Sequence, residues 1–128
     1  MRPESSWCCM APPLVLVVED ELLVRMNALA LLEDAGFGVL EAGSADEAFS
    51  LLERREDIRI VFTDINMPGS MDGLRLAHAI RSRWPPIELV LTSGVMRVRK
   101  EDMPERGLFL RKPYTPSELV QVVRSLAS

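Results

Sequence analysis

Four apolar runs in this sequence end in residues able to handle a cation or a phosphoryl group. Leu14-Val15-Leu16-Val17-Val18 runs into Glu19-Asp20. Ile58-Arg59-Ile60-Val61-Phe62 is followed at once by Thr63-Asp64. Ile87-Glu88-Leu89-Val90-Leu91 ends at Thr92, and the run from Gly107 to Arg111 is followed by Lys112. If Glu19, Asp20 and Asp64 meet, three like charges are unfavourable unless a cation joins them or a pKa rises. Oxygen donors of this kind suit a hard, hydrated ion such as Mg²⁺. An Asp carboxylate can also attack phosphorus and become an aspartyl phosphate. The incoming phosphoryl oxygens then need charge and donors, which Mg²⁺, Lys112 and the Thr92 hydroxyl can supply. Each residue has an ordinary alternative: an acidic pair at a helix N-terminus, β-propensity at Thr92, a surface lysine. All of them standing together at strand ends is what favours the chemistry.

That meeting requires a parallel sheet, in which all strand ends of one sense lie on one edge. The runs at 14–18 and 58–64 are short and rich in β-branched residues, as in strands buried on both faces. Phe37 to Ala42 reads as a third strand, 87–91 as a fourth and 107–111 as a fifth. Helical periodicity lies between them. Leu22, Leu23, Met26, Leu29, Ala30 and Leu32 recur at helix spacing, and Gly36 fits the position just past the helix end. Ser44-Ala45-Asp46-Glu47 and Thr115-Pro116-Ser117-Glu118 are capping boxes, the second with Pro at the first helical position. They open helices carrying Ala48, Leu51 and Leu52, and Leu119, Val122, Val123 and Leu126. A helix from about Met71 to Arg83 ends at Pro85-Pro86. Val95 to Glu105 predicts at most a short helix. Strands alternating with helices call for right-handed crossovers, hence an α/β fold with a doubly wound, five-stranded parallel sheet and helices on both faces.

At 128 residues the chain is expected to form one domain, 14–128, behind a flexible leader, 1–13; translation starting at Met10 is the other reading of that leader. The net charge of −4 argues mildly against nucleic acid or an anionic membrane as the main partner. Cys8 and Cys9 are adjacent and cannot staple distant segments, so a reducing cytoplasm is expected. No apolar run approaches the roughly 20 residues needed to cross a bilayer.

The order and spacing of Val17-Val18-Glu19-Asp20-Glu21, Thr63-Asp64-Ile65-Asn66-Met67-Pro68, Met71-Asp72-Gly73, Leu91-Thr92-Ser93-Gly94 and Lys112-Pro113-Tyr114 resemble the receiver domain of a two-component response regulator, over about residues 14–127. The resemblance implies a flavodoxin-like (βα)5 fold. It makes Asp64 the phosphoacceptor and Asp20 a direct Mg²⁺ ligand, with Glu19 acting through metal-bound water and the Asn66 backbone carbonyl as a further ligand. It makes Thr92 the switch hydroxyl, Lys112 the phosphate-pairing cation and Phe109 the rotating aromatic. It also implies a cis Lys112–Pro113 bond, a cheap conformation for X-Pro. The chain departs from the common pattern in three places. The Pro68–Asp72 loop is one residue longer, the Thr92–Lys112 interval is short enough to reduce the fourth helix, and Tyr114 replaces the more frequent Phe. The last two touch the usual output face and put a standard dimer through it in doubt.

The expected function is therefore a phosphoacceptor signalling module. It takes a phosphoryl group from a histidine kinase or phosphotransfer protein and switches a partner interaction, with no catalysis beyond its own phosphorylation and dephosphorylation. A receiver within a hybrid histidine kinase is the closest alternative. A Mg²⁺-dependent phosphohydrolase is less favoured, because Asn66 stands where that chemistry wants a second acid. A flavodoxin-like cofactor binder lacks a glycine-rich loop after the first strand. His78, Trp7 and the cysteines are given no role. The output partner and the oligomeric state, a homodimer among the options, stay open.

Overall fold

Successive side chains of the first strand, β1 (Leu14–Val18), point to opposite faces, and this alternation decides the layers. Val15 and Val17 join Phe62, Val90, Leu119 and Val123 in one core cluster; Leu16 and Val18 join Val61, Leu89, Leu52 and Ile80 in the other. The computed structural model describes residues 13–66, 72–94 and 99–127. The expected leader falls outside them except for Pro13, as does most of the Pro68–Asp72 loop.

Five strands form one parallel sheet in the order β2-β1-β3-β4-β5: β2 (Gly38–Ala42), β3 (Ile58–Asp64), β4 (Glu88–Ser93) and β5 (Leu108–Arg111) with β1. Helices α1 (Leu22–Asp34) and α4 (Pro116–Ala127) cover the first face, α2 (Ala45–Arg54) and α3 (Gly73–Arg83) the second. This is the doubly wound arrangement expected from the sequence.

The local signals act as anticipated. Gly36 has φ +99°, the left-handed conformation that a helix end needs. Ser44 Oγ accepts from the Glu47 amide at 3.1 Å, and Glu47 Oε1 accepts from the Gly43 amide at 2.6 Å. Thr115 and Glu118 bond reciprocally at 3.1 and 2.7 Å. The Lys112–Pro113 peptide is cis.

Two elements add detail that the sequence left open. The apolar residues of α1 do not all face inward: Ala28 and Leu32 are buried, whereas Leu22, Leu23 and Met26 are 56%, 78% and 54% exposed. Only the C-terminal half of α1 lies over the core. Between β4 and β5, the described residues hold a single 3-10 turn, Lys100–Asp102, in place of a helix. That connection is tied to α3 by side chains. His78 Nε2 lies 2.7 Å from the Asp102 carbonyl oxygen, and Arg81 Nε donates to the Glu105 carbonyl at 2.7 Å. Arg81 Nη1 also donates to the carbonyls of Pro85 and Ile87. Carbonyls that a helix would have satisfied internally are thus met by α3.

Helix α3 begins against the end of β3. Asp72 caps it, its Oδ1 accepting from the Arg75 amide at 2.9 Å, and the Gly73 amide donates to the Ile65 carbonyl at 3.0 Å. A Cβ on Gly73 would sit 1.9 Å from the Asp64 carbonyl oxygen. Gly73→Ala must therefore push α3 off the strand, and a loss of about 3 kcal/mol is expected by urea denaturation. Gly36→Ala meets nothing within 4 Å and should cost only the left-handed conformation, roughly 1 kcal/mol. Equal losses would contradict this placement of α3.

Candidate functional site

Register brings the polar strand ends level. Val18 pairs with Thr63, and Asp64 with Thr92, so Glu19, Asp64 and Thr92 share the C-terminal edge of the sheet. Asp64 is 6% exposed. Its Oδ1 accepts from the Asn66 amide at 3.1 Å and its Oδ2 from Lys112 Nζ at 3.0 Å. Lys112 Nζ also donates to Glu19 Oε1 at 3.3 Å, and Glu19 Oε2 accepts from the Glu21 amide at 3.1 Å. The Lys112 amide donates to the Ser93 carbonyl at 3.1 Å, which seats the lysine just past β5. Asp20 is exposed at the mouth. The ligand oxygens of Glu19, Asp20 and Asp64 all lie within 4.8 Å of one another.

The charge at this edge is unbalanced. Burial, reinforced by the nearby Asp64 carboxylate, raises the Glu19 pKa to about 7 against the pull of the Glu21 amide and Lys112. For Lys112, burial disfavours the charged form, but Asp64 and Glu19 outweigh it and the pKa rises. The site therefore holds one firmly cationic lysine among three carboxylates, one of which tends to keep its proton. All-oxygen donors short of positive charge fit a hard divalent cation. A second observation points to a further ligand: Thr92 Oγ1 is buried and has no hydrogen-bond partner among the described residues. Leaving a hydroxyl so costs on the order of 1–3 kcal/mol unless something else meets it.

Every residue singled out in the sequence except Phe109 thus gathers at one edge. Phe109 lies on β5, in register with Leu91, and is 39% exposed. Three further side chains contribute, to none of which the sequence reading gave a role at the site. Arg25 reaches from α1 to the Glu19 carbonyl at 2.8 Å. Ser93 Oγ accepts from Asn66 Nδ2 at 2.8 Å and so fixes the Asn66 side chain. The Tyr114 ring meets Phe62 edge-on at 5.8 Å and closes the side of the site. Ser93 and Tyr114 had a signal, their places directly after Thr92 and after Lys112-Pro113; Arg25 had none. A cleft of about 500 Å³ opens beside Lys112, lined by Leu23, Val24, Asn27, Gly94, Pro113 and Tyr114. Another, of similar volume, lies among Leu52, Ile58, Trp84 and Ile87 and includes none of these groups.

Comparison with known proteins agrees with this geometry. The family model for the response regulator receiver domain matches residues 15–124. The chain is 36% identical over 121 residues to the aerobic respiration control protein ArcA of Escherichia coli, covering 93% of this chain and 50% of that one. It is 35% identical over 120 residues to the sensor kinase CckA of Brucella abortus, covering 88% of this chain and 12% of the kinase. It thus spans half or less of the length of these relatives. Among solved structures, a response regulator receiver protein from Sinorhizobium medicae superimposes with a TM-score of 0.83 at 27% identity, over 92% of this chain and 96% of that one. One from Pseudomonas putida gives 0.80 at 30% identity, over 90% and 98%.

The raised Glu19 pKa makes metal-free stability depend on pH. Below about 4.5 the carboxyl is protonated in the folded and unfolded chains alike. Between there and about 7 the unfolded chain gives up the proton while the folded one keeps it, so stability falls as pH rises. Glu19→Gln cannot titrate. Urea denaturation without divalent ions should show wild type losing stability relative to Glu19→Gln across that window; parallel curves would refute the shift.

Proposed function

The chain belongs to the response regulator receiver domain family, and from that premise we propose that it is the phosphoacceptor of a two-component phosphorelay, with Asp64 as the receiving residue. The observation that carries this reading is Lys112, whose ammonium is held 3.0 Å from a buried carboxylate at the sheet edge. In the transfer, an Asp64 oxygen attacks the phosphorus of a donor phosphohistidine. The new O–P bond forms as the P–N bond breaks, and the imidazole leaves with the electron pair and takes up a proton. Lys112 moves from the carboxylate to a phosphoryl oxygen, and the Thr92 hydroxyl donates to another. Asp20, Asp64, the Asn66 carbonyl and, through water, Glu19 would hold Mg²⁺, which supplies positive charge to the phosphoryl oxygens. Self-phosphorylation and autodephosphorylation are the only reactions proposed for the chain.

The exposed start of α1 supports a protein donor. Leu22, Leu23 and Met26 are exposed on the first turns of α1, and Leu23 lines the cleft that Lys112 and Tyr114 share. A histidine kinase or phosphotransfer protein could bury these side chains while presenting its phosphohistidine. A receiver carried by a hybrid kinase is a second reading, favoured by the match to a segment of the CckA sensor kinase. Either places the domain in the cytoplasm, and no helix among the described residues is long and apolar enough to cross a membrane.

The output rests on two packed states. Drawing the Thr92 hydroxyl to the phosphoryl group leaves space into which Phe109 can turn from its 39% exposed position. One aromatic with two arrangements is a bistable element that a local charge can bias, typically by about 1–3 kcal/mol.

Intact-mass analysis after acetyl phosphate and Mg²⁺ should show one added phosphoryl group in wild type and none in Asp64→Asn. Labelling of that variant at the wild-type level would overturn the assignment. Leu23→Asp and Met26→Asp should leave acetyl phosphate labelling within about twofold and slow transfer from a histidine phosphodonor protein at least roughly tenfold. Equal slowing with both donors would argue against a docking surface on α1.

A further inference from the structure

Arg25 stands on the first turns of α1 and reaches two strand ends at once. Nη1 donates to the Glu19 carbonyl oxygen and Nε to Glu41 Oε1, both at 2.8 Å. The Arg25 side chain is 15% exposed and that of Glu41 is 55%. The ion pair with Glu41 therefore faces water and contributes little by itself. The bond to Glu19 is of another kind, a charge-assisted donor on a part-buried peptide oxygen.

What that bond holds is the backbone between the two acids. The Glu19 amide already donates to the Ala42 carbonyl at 3.0 Å. With the Glu19 carbonyl also held, the peptide groups on both sides of Glu19 are fixed. The peptide joining Glu19 to Asp20 is planar, so its orientation carries the Asp20 amide and Cα with it. Asp20 is exposed and follows the end of β1, beyond the ladder that orients Asp64. Gly43 gives independent support. A Cβ there would lie 3.1 Å from Arg25 Nη1, so the guanidinium fills the space over a bare glycine.

We infer that Arg25 is a positioning residue for the divalent-cation site: it holds the Glu19–Asp20 peptide so that the Asp20 carboxylate is aimed at Asp64 before any ion arrives. It touches neither the ion nor the phosphoryl group. The rigid guanidinium sets Nη1 on the peptide oxygen while Nε is steered by Glu41, a geometry that a lysine cannot reproduce. The inference rests on the receiver reading above and adds to it a residue on α1 and an anchor on β2.

Metal binding measured without a phosphodonor tests it. Mg²⁺ is titrated while the amide resonances of Asp20 and Asp64 are followed by NMR. Arg25→Met keeps the aliphatic stem and should raise the half-saturating Mg²⁺ concentration roughly 10-fold, with Arg25→Lys nearly as weak. Gly43→Ala removes no charged group but crowds the guanidinium off its seat by a few tenths of an ångström, and should raise it roughly threefold. At saturating Mg²⁺ the rate of labelling by acetyl phosphate should stay within about twofold of wild type, a split that general damage to the fold would not produce. If Arg25→Met does not fold, Gly43→Ala decides. Unchanged Mg²⁺ midpoints with a lowered urea midpoint overturn the inference and leave Arg25 a structural residue. A wild-type protein that takes up neither Mg²⁺ nor a phosphoryl group overturns the receiver reading, and the inference with it.

Discussion

Lys112 donates to Asp64 and to Glu19, two carboxylates that are almost wholly buried and that the pairing of β1 with β3 sets side by side. Burying such charges is costly unless they are paired and hydrogen-bonded. Here the pairing is incomplete. One ammonium serves two carboxylates while Asp20 stands at the mouth, and Glu19 responds by holding its proton toward neutral pH. The edge of the sheet is therefore short of positive charge and has an unmet hydroxyl at Thr92. In the proposed function both defects would be repaired by the same event, the arrival of a hard cation and an anionic phosphoryl group whose oxygens accept from Lys112 and Thr92. The imbalance in the free protein is thus the physical basis of the chemistry proposed for it.

The fold exists in the form that makes this imbalance possible. Parallel strands put Glu19, Asp64, Thr92 and Lys112 on one edge, and an apolar core on each face of the sheet fixes their height. Gly73 lets α3 start in contact with the backbone of Asp64. The first turns of α1 overhang the same edge, which leaves Leu22, Leu23 and Met26 to water and available to a partner. Among the described residues, the β4–β5 connection holds a single 3-10 turn and is tied to α3 by His78 and Arg81.

Much of this was legible beforehand because the signals are local. Strands buried on both faces appear as unbroken apolar runs, and their polar ends name Asp64, Thr92 and Lys112. Capping boxes at Ser44 and Thr115 and the glycine at 36 mark helix ends through bonds spanning only a few residues. The side-chain ties of the site were not legible. Arg25 to Glu19, Asn66 to Ser93 and His78 to Asp102 join groups whose partners depend on how elements pack. The pattern of α1 was misleading for the same reason. Its apolar positions suit a helix of either exposure, and only the length of the sheet beneath it decides which of them are covered.

The amino-acid sequence by itself determined the alternation of strands and helices, the two-faced core and the identity of the residues at the strand ends. Those properties follow from periodicity, turn chemistry and capping, which act over one element at a time. Tertiary structure alone decided the sharing of one lysine between two buried acids, the orphaned Thr92 hydroxyl and the raised pKa of Glu19. It also decided the clamp of Arg25 on the peptide between the acids. Each of these depends on distances between groups far apart along the chain and on the water excluded around them, and neither quantity exists until the sheet has formed.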